Sequence, residues 1–177
     1  MIDNNEWFVS WFDSKYYHIL YSDRTDYEAH NFIYQLKNHL SLDSKEKVLD
    51  LGCGRGRHSK TLSEFFKTLD GIDISKENID FATSNKSKNQ NFYLSDMRNF
   101  KMSNSYGYIF NLFTSFGYFD DLSDNVKVLE NCNHHLKKNW NLGTRLQLVI
   151  TRCLNVIKEA VEINLESVSV FQTMKYG

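Results

Sequence analysis

Residues 47–59 read KVLDLGCGRGRHS, and this stretch decides the fold. Val48, Leu49 and Leu51 form a short apolar run, which is typical of a strand covered on both faces in a parallel sheet. Three glycines then follow at alternate positions, so the backbone can bend sharply and a ligand can lie directly against it. The stretch therefore predicts a buried strand, a glycine turn and the start of a helix.

Two residues of this stretch have more than one interpretation. Asp50 interrupts the buried run, and its carboxylate needs a partner because burying an unpaired charge is costly. It therefore either accepts hydrogen bonds from the turn amides or faces a ligand. Cys53 lies inside the turn, where a small side chain fits, and a role as a nucleophile is the alternative.

Composition limits the class of protein. The 177 residues are 41% hydrophobic and 24% charged with a net charge of −1, which predicts one soluble globular domain and argues against general nucleic-acid or membrane-surface binding. No apolar run approaches the ~18 residues of a membrane span, so we expect a cytoplasmic protein. Cys53, Cys132 and Cys153 form neither a disulfide framework nor pairs typical of zinc ligands, and no metal site is predicted.

The first 24 residues form an arm that is rich in aromatic rings. Trp7 and Trp11 are four residues apart, as are Phe8 and Phe12, and this spacing predicts a helix with one face against the domain. The arm either packs into the core or forms a lid over a flat ligand, since both roles suit large aromatic side chains.

Strand-like runs alternate with helical periodicity along the rest of the chain. Thr25 and Glu28 form a capping box that opens a helix running to Leu40. Later helices are predicted to start near His58, Ser75 and Ser123, and strands are predicted at 48–51, 68–73, 91–94, 106–113 and 146–150. This alternation predicts an α/β fold, with a doubly wound, mostly parallel sheet and helices on both faces.

Polar residues stand at the ends of four successive predicted strands, namely Asp50, Asp73, Asp96 and Asn111. Ligands of such sheets bind at the carboxyl ends of the strands, where these side chains are expected to line one cleft. Asp73 follows the glycine turn by about 20 residues, the spacing at which an acid reaches the ribose hydroxyls of a bound nucleoside. The sequence therefore predicts an adenosine derivative as the ligand.

The glycine turn narrows the choice of ligand. A dinucleotide fingerprint needs a third glycine where this chain has Arg57, and there is no G-K-[ST] for a nucleoside triphosphate. Asp50 would repel a pyrophosphate, whereas it would attract an ammonium or sulfonium group. S-Adenosylmethionine carries both of these groups.

Four ordered motifs resemble those of class I S-adenosylmethionine-dependent methyltransferases of the small-molecule type. They are DLGCGRG at 50–56, GIDIS at 71–75, SDM at 95–97 and NLFTSFGY at 111–118. The resemblance runs from about residue 16 to residue 139 and implies a Rossmann-like methyltransferase fold with S-adenosyl-L-methionine as cofactor. It also implies a small-molecule methyl acceptor, with no nucleic acid and no membrane as partner.

The resemblance further implies where the cofactor lies. The turn glycines lie against its methionine part, Asp73 holds the ribose hydroxyls, and Asp96 with the Met97 amide reads the adenine edge. Leu112 and Phe113 flank the cofactor's amino acid, while Tyr17 and Arg24 close over the cofactor or pair with its carboxylate. The full cofactor-binding set is Tyr17, Arg24, Asp50, Gly52, Cys53, Gly54, Gly56, Asp73, Ile74, Asp96, Met97, Leu112 and Phe113.

Some members of this set also have a purely structural interpretation. The alternatives are Asp50 as a turn acceptor, Asp73 as a helix N-terminal charge, Asp96 as a loop cap and Phe113 as a core residue. In the implied reaction an acceptor atom displaces the methyl group from sulfonium, and positioning and desolvation can supply most of the acceleration. No catalytic residue is therefore named.

The end of the chain departs from the family pattern. We interpret 1–177 as a single methyltransferase-like domain, with the arm at 1–24, a cofactor-binding core at 25–139 and an atypical tail at 140–177. The tail allows a helix at 154–161 and a short strand at 168–170, so we expect an incomplete set of C-terminal strands. An unpaired sheet edge predicts a homodimer. The alternative function is an inactive or partner-dependent S-adenosylmethionine-binding protein with a truncated sheet.

Overall fold

The structure is a computed structural model, and it describes residues 6–20, 24–40, 42–103, 105–113, 115–137, 147–150 and 168–170. The helices are α1 (Trp7–Phe12), α2 (Lys15–Leu20), α3 (Asp26–Leu40), α4 (Arg57–Phe65), α5 (Lys76–Ser84) and α6 (Leu122–His135). The strands are β1 (Lys47–Leu51), β2 (Thr68–Asp73), β3 (Gln90–Leu94), β4 (Tyr108–Asn111), β5 (Gln147–Ile150) and β6 (Val168–Val170).

The strands form one parallel sheet in the order β3-β2-β1-β4-β5-β6. Strand β1 is central, so that Asp50 lies opposite Gly71 of β2 on one side and Phe110 of β4 on the other. The strand order reverses between β1 and β4, and a crevice opens at the carboxyl ends of the strands at such a switch point. The predicted doubly wound parallel sheet is confirmed.

Helices cover both faces of the sheet. Leu49 and Leu51 of β1 belong to a core cluster that also holds Leu129 of α6. Val48 points to the other face, where it shares a second cluster with Ile33 of α3. Because successive strand residues face opposite sides, one buried apolar run supplies both cores, as the sequence predicts.

Helix α1 confirms the helix predicted from the aromatic spacing, and after a break at Asp13 and Ser14 the arm continues as a second short helix. The Ser14 hydroxyl accepts a hydrogen bond from the Tyr17 amide at 3.2 Å, which caps the start of α2. The Asp13 carboxylate accepts one from the Ser75 hydroxyl, which ties the break to the body of the domain. The aromatic spacing therefore predicts α1 but not the break that follows it.

Two predicted boundaries also change. Helix α6 is capped by Asp121, whose carboxylate accepts from the Ser123 amide at 2.8 Å, so Ser123 lies inside the helix and does not open it. Strand β4 is shorter than the predicted 106–113, because Tyr106 forms an isolated bridge with Leu136 instead. At the capping box, the Glu28 amide donates to the Thr25 hydroxyl at 3.1 Å as predicted.

The described parts of the tail extend the sheet. Strand β5 confirms the strand predicted at 146–150, and β6 confirms the one predicted at 168–170. The helix predicted at 154–161 and the expected lack of a closing strand lie outside the described residues. Among the residues that the structure describes, no helix combines the length and the hydropathy needed to cross a membrane.

A buried polar pair connects β2 to the segment before β4. The Tyr106 hydroxyl donates to Oδ2 of Asp70 at 2.7 Å, and the Asn91 side chain donates to Oδ1 at 3.0 Å. Both Asp70 and Tyr106 are almost fully buried, so this carboxylate depends on its protein donors.

We expect Tyr106→Phe to lower the free energy of unfolding by about 1–3 kcal/mol, because it removes a donor from a buried carboxylate. Tyr93→Phe is the matched control, since Tyr93 is 41% exposed. Urea unfolding followed by circular dichroism measures both. Equal losses in the two variants would contradict the structural role of the Tyr106–Asp70 pair.

Candidate functional site

The glycine turn between β1 and α4 bends through the left-handed region, with φ of 74° at Gly52, 56° at Gly54 and 84° at Gly56. A Cβ atom built on Gly52 would lie 2.5 Å from Cβ of Ser115, so this glycine is needed for packing against the loop after β4. A Cβ atom on Gly54 would meet no atom within 4 Å. Gly54 therefore leaves open space above the turn.

Asp50 is almost fully buried beneath this turn. Its Oδ2 accepts a hydrogen bond from the Ser59 hydroxyl at 2.6 Å, so its partner is a side chain of α4 and not the turn amides considered from the sequence. Burial raises the pKa of Asp50 to about 7, the Ser59 hydrogen bond lowers it, and the neighbouring Asp73 charge raises it further. Asp50 thus titrates near neutral pH.

Asp73 ends β2 and is half-buried. Its Oδ2 accepts from the Gly54 amide at 2.8 Å, and its Oδ1 accepts from the Ser75 amide at 2.9 Å at the start of α5. Burial raises the pKa of Asp73, while these two hydrogen bonds lower it. The carboxylate therefore fills the structural role of a charge at a helix N-terminus and also holds the glycine turn.

Asp96, after β3, is buried and is bound by Arg98. The Arg98 amide donates to Oδ1 at 2.8 Å, which makes Asp96 a loop cap, and the guanidinium Nε lies 3.0 Å from Oδ2. The same guanidinium donates to Glu6 at 2.7 Å and to Asp124 at 2.8 Å. The hydrogen bonds that Arg98 donates to the carboxylates of Asp96, Glu6 and Asp124 raise its pKa, so it stays charged.

A first cavity, with an empty volume of about 370 Å³, lies between the strand ends and the aromatic arm. Asp73, Ile74, Asp96 and Met97 contribute one side of it. The rings of Phe8, Phe12, Tyr118 and Phe119 contribute the other side. Phe12 packs edge-on against Tyr118 at 5.3 Å and Phe8 against Phe119 at 5.4 Å, so the arm both packs on the domain and covers this cavity.

A second cavity, with an empty volume of about 720 Å³, lies over the glycine turn. Its lining includes Cys53, Gly54, Leu112 and Phe113 from the sheet side and Tyr17 and Arg24 from the arm side. Gly52 and Ser115 line both cavities, which therefore adjoin at the turn.

The structure brings the predicted set together, with two exceptions. Asp50 and Gly56 are absent from the lining of these two cavities. Asp50 lies beneath the turn, as described above, and a Cβ atom on Gly56 would face Phe92 at 3.3 Å and Ala82 at 3.5 Å inside the domain. Gly56 is the N-cap of α4, and its left-handed conformation directly precedes the first helical residue.

Phe113 is placed both as a core residue and as a residue that lines a cavity, so its two interpretations are compatible. Its half-buried side chain packs against the second core cluster and also lines the second cavity. Its φ of 63° is unusual for a residue that carries a bulky side chain, and such backbone strain is concentrated at functional sites. The His58 imidazole stacks on the ring, with centroids 4.7 Å apart.

The surroundings of Cys53 give no support to its alternative role as a nucleophile. Its thiol is buried and free, and it donates weakly to the Gly54 carbonyl at 3.6 Å. Burial and the nearby Asp73 and Asp50 charges raise the pKa of the thiol well above its usual value. Because the thiolate is the reactive form, Cys53 is not activated.

Several lining residues were not predicted from the sequence. Ser115 and Tyr118 lie inside the quoted motif at 111–118, and this motif was the signal that could have identified them. Arg57 and His58 follow the glycines directly but were interpreted as a helix start. Their part in the second cavity depends on how α4 faces the loop after β4, which spacing does not reveal.

Oδ1 of Asn125 in α6 is one of three buried side-chain acceptors that lack a donor among the described residues, and the other two lie at this end of the sheet. They are Oδ1 of Asn78, which lines the second cavity, and Oδ1 of Asn111, at the end of β4. A buried acceptor without a partner is costly, so a ligand that brings hydrogen-bond donors would stabilise this end of the sheet. The described ranges contain no group of three or more His, Cys, Asp or Glu side chains placed to hold a metal ion.

Comparison with known proteins gives a family and several relatives. The model of a family described as "Methyltransferase domain" matches residues 42–172. A curated relative, malonyl-[acyl-carrier protein] O-methyltransferase of Bacillus anthracis, is 31% identical over 111 residues. That match covers 61% of this chain and 40% of the relative, so the chain spans less than half the relative's length.

Solved structures share the fold. An amino pentose methyltransferase from Micromonospora echinaspora is 18% identical, with 70% of this chain and 52% of that chain covered and a TM-score of 0.59. The N-methyltransferase NodS from Bradyrhizobium japonicum is 18% identical, with 76% and 69% covered and a TM-score of 0.61. At these identities the likeness concerns the fold alone.

The raised pKa of Asp50 makes the stability of the folded chain depend on pH. The folded chain holds the Asp50 proton up to a pKa of about 7, whereas an unfolded chain releases it near 3.8. The contribution of Asp50 to stability is therefore present in full below pH 3.8 and is lost as the pH rises to about 7.

We expect Asp50→Asn to gain stability relative to the unmodified chain by up to about 4 kcal/mol as the pH rises from 4 to 8, since Asn has no proton to release. Urea unfolding at successive pH values measures the difference. Asp120→Asn, which removes an exposed carboxylate, is the control. A difference between Asp50→Asn and the unmodified chain that stays constant with pH would contradict the raised pKa.

Proposed function

The chain belongs to the methyltransferase domain family, and from this premise we propose that it is an S-adenosylmethionine-dependent methyltransferase with a small-molecule acceptor. The observation that carries the proposal is the pair of cavities that adjoin at Gly52 and Ser115. One cavity has aromatic walls and acids at strand ends, and the other lies over bare glycine backbone. A ligand made of a nucleoside joined to an amino acid would place its nucleoside in the first cavity and its amino acid in the second.

The adenosine part of the cofactor would lie in the first cavity. Asp73 would accept hydrogen bonds from the ribose hydroxyls, and Asp96 with Ile74 and Met97 would contact the adenine. Protein donors already use the oxygens of Asp73 and Asp96, but each carboxylate oxygen has more than one lone pair. A bound ligand can therefore donate to these acids without displacing their protein partners.

The methionine part would lie in the second cavity, against Gly52, Cys53 and Gly54. The open space above Gly54 and the unpartnered Oδ1 of Asn78 support this fit, because an ammonium or hydroxyl group supplies the missing donor. Tyr17, Arg24, Leu112 and Phe113 would enclose the amino acid, with Arg24 placed to pair with its carboxylate. Asp50 beneath the turn and Asp73 at the end of β2 would favour the positive ammonium group of the cofactor near the turn.

The cofactor supplies a methyl group on a positively charged sulfur. The residues of this chain would bind and orient it, and the rings of Phe8, Phe12 and Tyr118 would exclude water from its adenosine end. Positioning of an acceptor in the rest of the second cavity then provides the acceleration, without an assigned base. Names of relatives include both O- and N-methyltransferases, so the acceptor atom is left open.

The alternative of an inactive protein with a truncated sheet gains no support from the described residues, since β5 and β6 both extend the sheet. We propose a single domain with an arm at 1–24, a cofactor-binding core at 25–139 and a tail at 140–177. We also propose a cytoplasmic location, and the small net charge of −1 argues against a general nucleic-acid partner. Strand β6 is one of the two edge strands of the described sheet, and we propose that a homodimer would pair there, which light scattering tests.

Gly54→Ala tests the placement of the cofactor. We expect it to weaken binding of S-adenosylhomocysteine, the demethylated product, by at least about tenfold, because the added methyl group enters the space above the turn. Gly56→Ala is the matched control: it puts the same side chain at another positive φ, but toward Phe92 inside the domain.

Both variants are expected to lose about 1–2 kcal/mol of stability, because an L side chain is strained at these angles. Calorimetric titration gives the affinities and urea unfolding gives the stabilities. If Gly54→Ala binds S-adenosylhomocysteine as tightly as Gly56→Ala does, the ligand does not lie over the turn.

The proposed function itself is tested in two steps. Calorimetry with S-adenosylmethionine and S-adenosylhomocysteine measures cofactor binding, and we expect saturable binding of both. Formation of S-adenosylhomocysteine from S-adenosylmethionine in the presence of panels of small carboxylic acids, alcohols and amines then measures transfer. Lack of cofactor binding would refute the proposal, and binding without transfer to any acceptor class would favour the inactive alternative.

A further inference from the structure

The second cavity is strongly cationic. The charged side chains in its lining are Arg24, Arg55 and Arg57, and no Asp or Glu is among its described lining residues. A cavity walled by one sign of charge concentrates ligands of the opposite sign. The partners of each guanidinium decide how much of this charge is available to a ligand.

Arg55 is already neutralised by other groups. Its guanidinium forms an ion pair with Glu77 and lies 5.1 Å from the ring centroid of Phe81. Its contribution to the field in the cavity is therefore small.

Unlike Arg55, Arg57 and Arg24 both place their guanidinium groups over one ring, that of Phe113. The distances to the Phe113 ring centroid are 5.5 Å for Arg57 and 5.3 Å for Arg24. Burial and the nearby Arg24 charge both lower the pKa of Arg57. Two cations against one ring repel each other, and an anion between them would relieve that repulsion.

The contacts of Arg57 leave room for such an anion. Its side chain is 20% exposed, it donates to the Thr25 carbonyl at 3.0 Å, and its carboxylate neighbour Glu28 lies at 3.5 Å. That distance is beyond the usual 2.7–2.9 Å of a charge-assisted hydrogen bond. Arg57 is therefore paired with Glu28 at a longer distance than Arg55 is paired with Glu77, and the nearby Asp26 charge adds to its compensation.

The side chain of His58 lines the second cavity but carries no charge. Burial and the charges of Arg57 and Arg24 lower the pKa of His58 to about 3, so the imidazole is neutral. It stacks on Phe113, and its Nε2 lies 3.3 Å from a guanidinium nitrogen of Arg57, which fits a neutral ring that accepts from a cation. This contact also helps to hold Arg57 beside the cavity.

We propose that the methyl acceptor carries an anionic oxygen group, a carboxylate or a phosphate, that binds Arg57 beside Phe113, while Arg24 pairs with the carboxylate of the cofactor. The inference rests on the proposed function. The carboxylate of the cofactor can pair with one guanidinium, but its sulfonium adds a positive charge, so the loaded cavity still favours an anion. The planar guanidinium fork also matches the two oxygens of such a group.

The experiment titrates the full chain, saturated with S-adenosylhomocysteine, with succinate and with the neutral analogue succinamide at constant ionic strength. We expect succinate to bind at least about tenfold more tightly than succinamide, because only succinate forms charge-assisted hydrogen bonds. Arg57→Gln should remove this preference while the affinity for S-adenosylhomocysteine changes by less than about threefold. Arg57→Lys, which keeps the charge, should keep part of the preference.

Arg55→Gln is the matched control and should retain the preference, since its guanidinium is paired with Glu77. Thermal unfolding of each variant verifies that it is folded. Equal binding of succinate and succinamide overturns the inference, as does an equal loss in Arg55→Gln and Arg57→Gln. Loss of S-adenosylhomocysteine binding in Arg57→Gln alone also overturns it, because Arg57 would then serve the cofactor.

Failure of S-adenosylhomocysteine to bind the unmodified chain would refute the proposed function, and the acceptor assignment would fall with it. Titration of that unliganded chain with succinate would then decide separately whether Arg57 forms an anion site.

Discussion

The hydrogen bond from the Gly54 amide to Asp73 is the constraint on which the site depends, because it joins the turn after β1 to the end of β2 at 2.8 Å. The second oxygen of the same carboxylate accepts from Ser75 at the start of α5. One side chain thus fixes a turn, a strand end and a helix. Since the Gly54 amide points at Asp73, it is not available to cradle a phosphate, which agrees with the mismatch between this turn and the dinucleotide and triphosphate fingerprints.

Acidic and basic side chains lie on different sides of the glycine turn. Asp50 lies beneath the turn and Asp73 lies at the end of β2 in the lining of the first cavity, whereas Arg24 and Arg57 line the second cavity beside Phe113. Each side is unfavourable alone, since like charges repel and buried charges lose hydration. A zwitterion with its ammonium toward the acids and its carboxylate toward a guanidinium would reduce both costs. The raised pKa of Asp50 shows this cost on the acidic side, since burial is its main cause and the Asp73 charge adds to it.

The local sequence pattern was sufficient to predict the sheet, and most of the residues predicted to bind the cofactor line the two cavities. The strands were predictable because each is a buried apolar run, and Asp73, Asp96 and the turn glycines were predictable because they stand next to strand ends. Contacts between distant segments were not predictable, such as the approach of Ser115 to Gly52 or the stacking of His58 on Phe113. The break in the arm had the same origin, because Asp13 binds Ser75 in a different part of the chain.

Arg98 shows how such distant contacts couple parts of the site. Its guanidinium binds Asp96 on one side of the first cavity, Glu6 ahead of α1 and Asp124 in α6, and it lies 4.6 Å from the ring centroid of Phe119. An arginine among three carboxylates has no neutral alternative, so losing one partner changes the balance at the others. Moving the arm would remove Glu6 from Arg98 and alter the field at Asp96. The cover of the first cavity and its acidic side are therefore electrostatically linked.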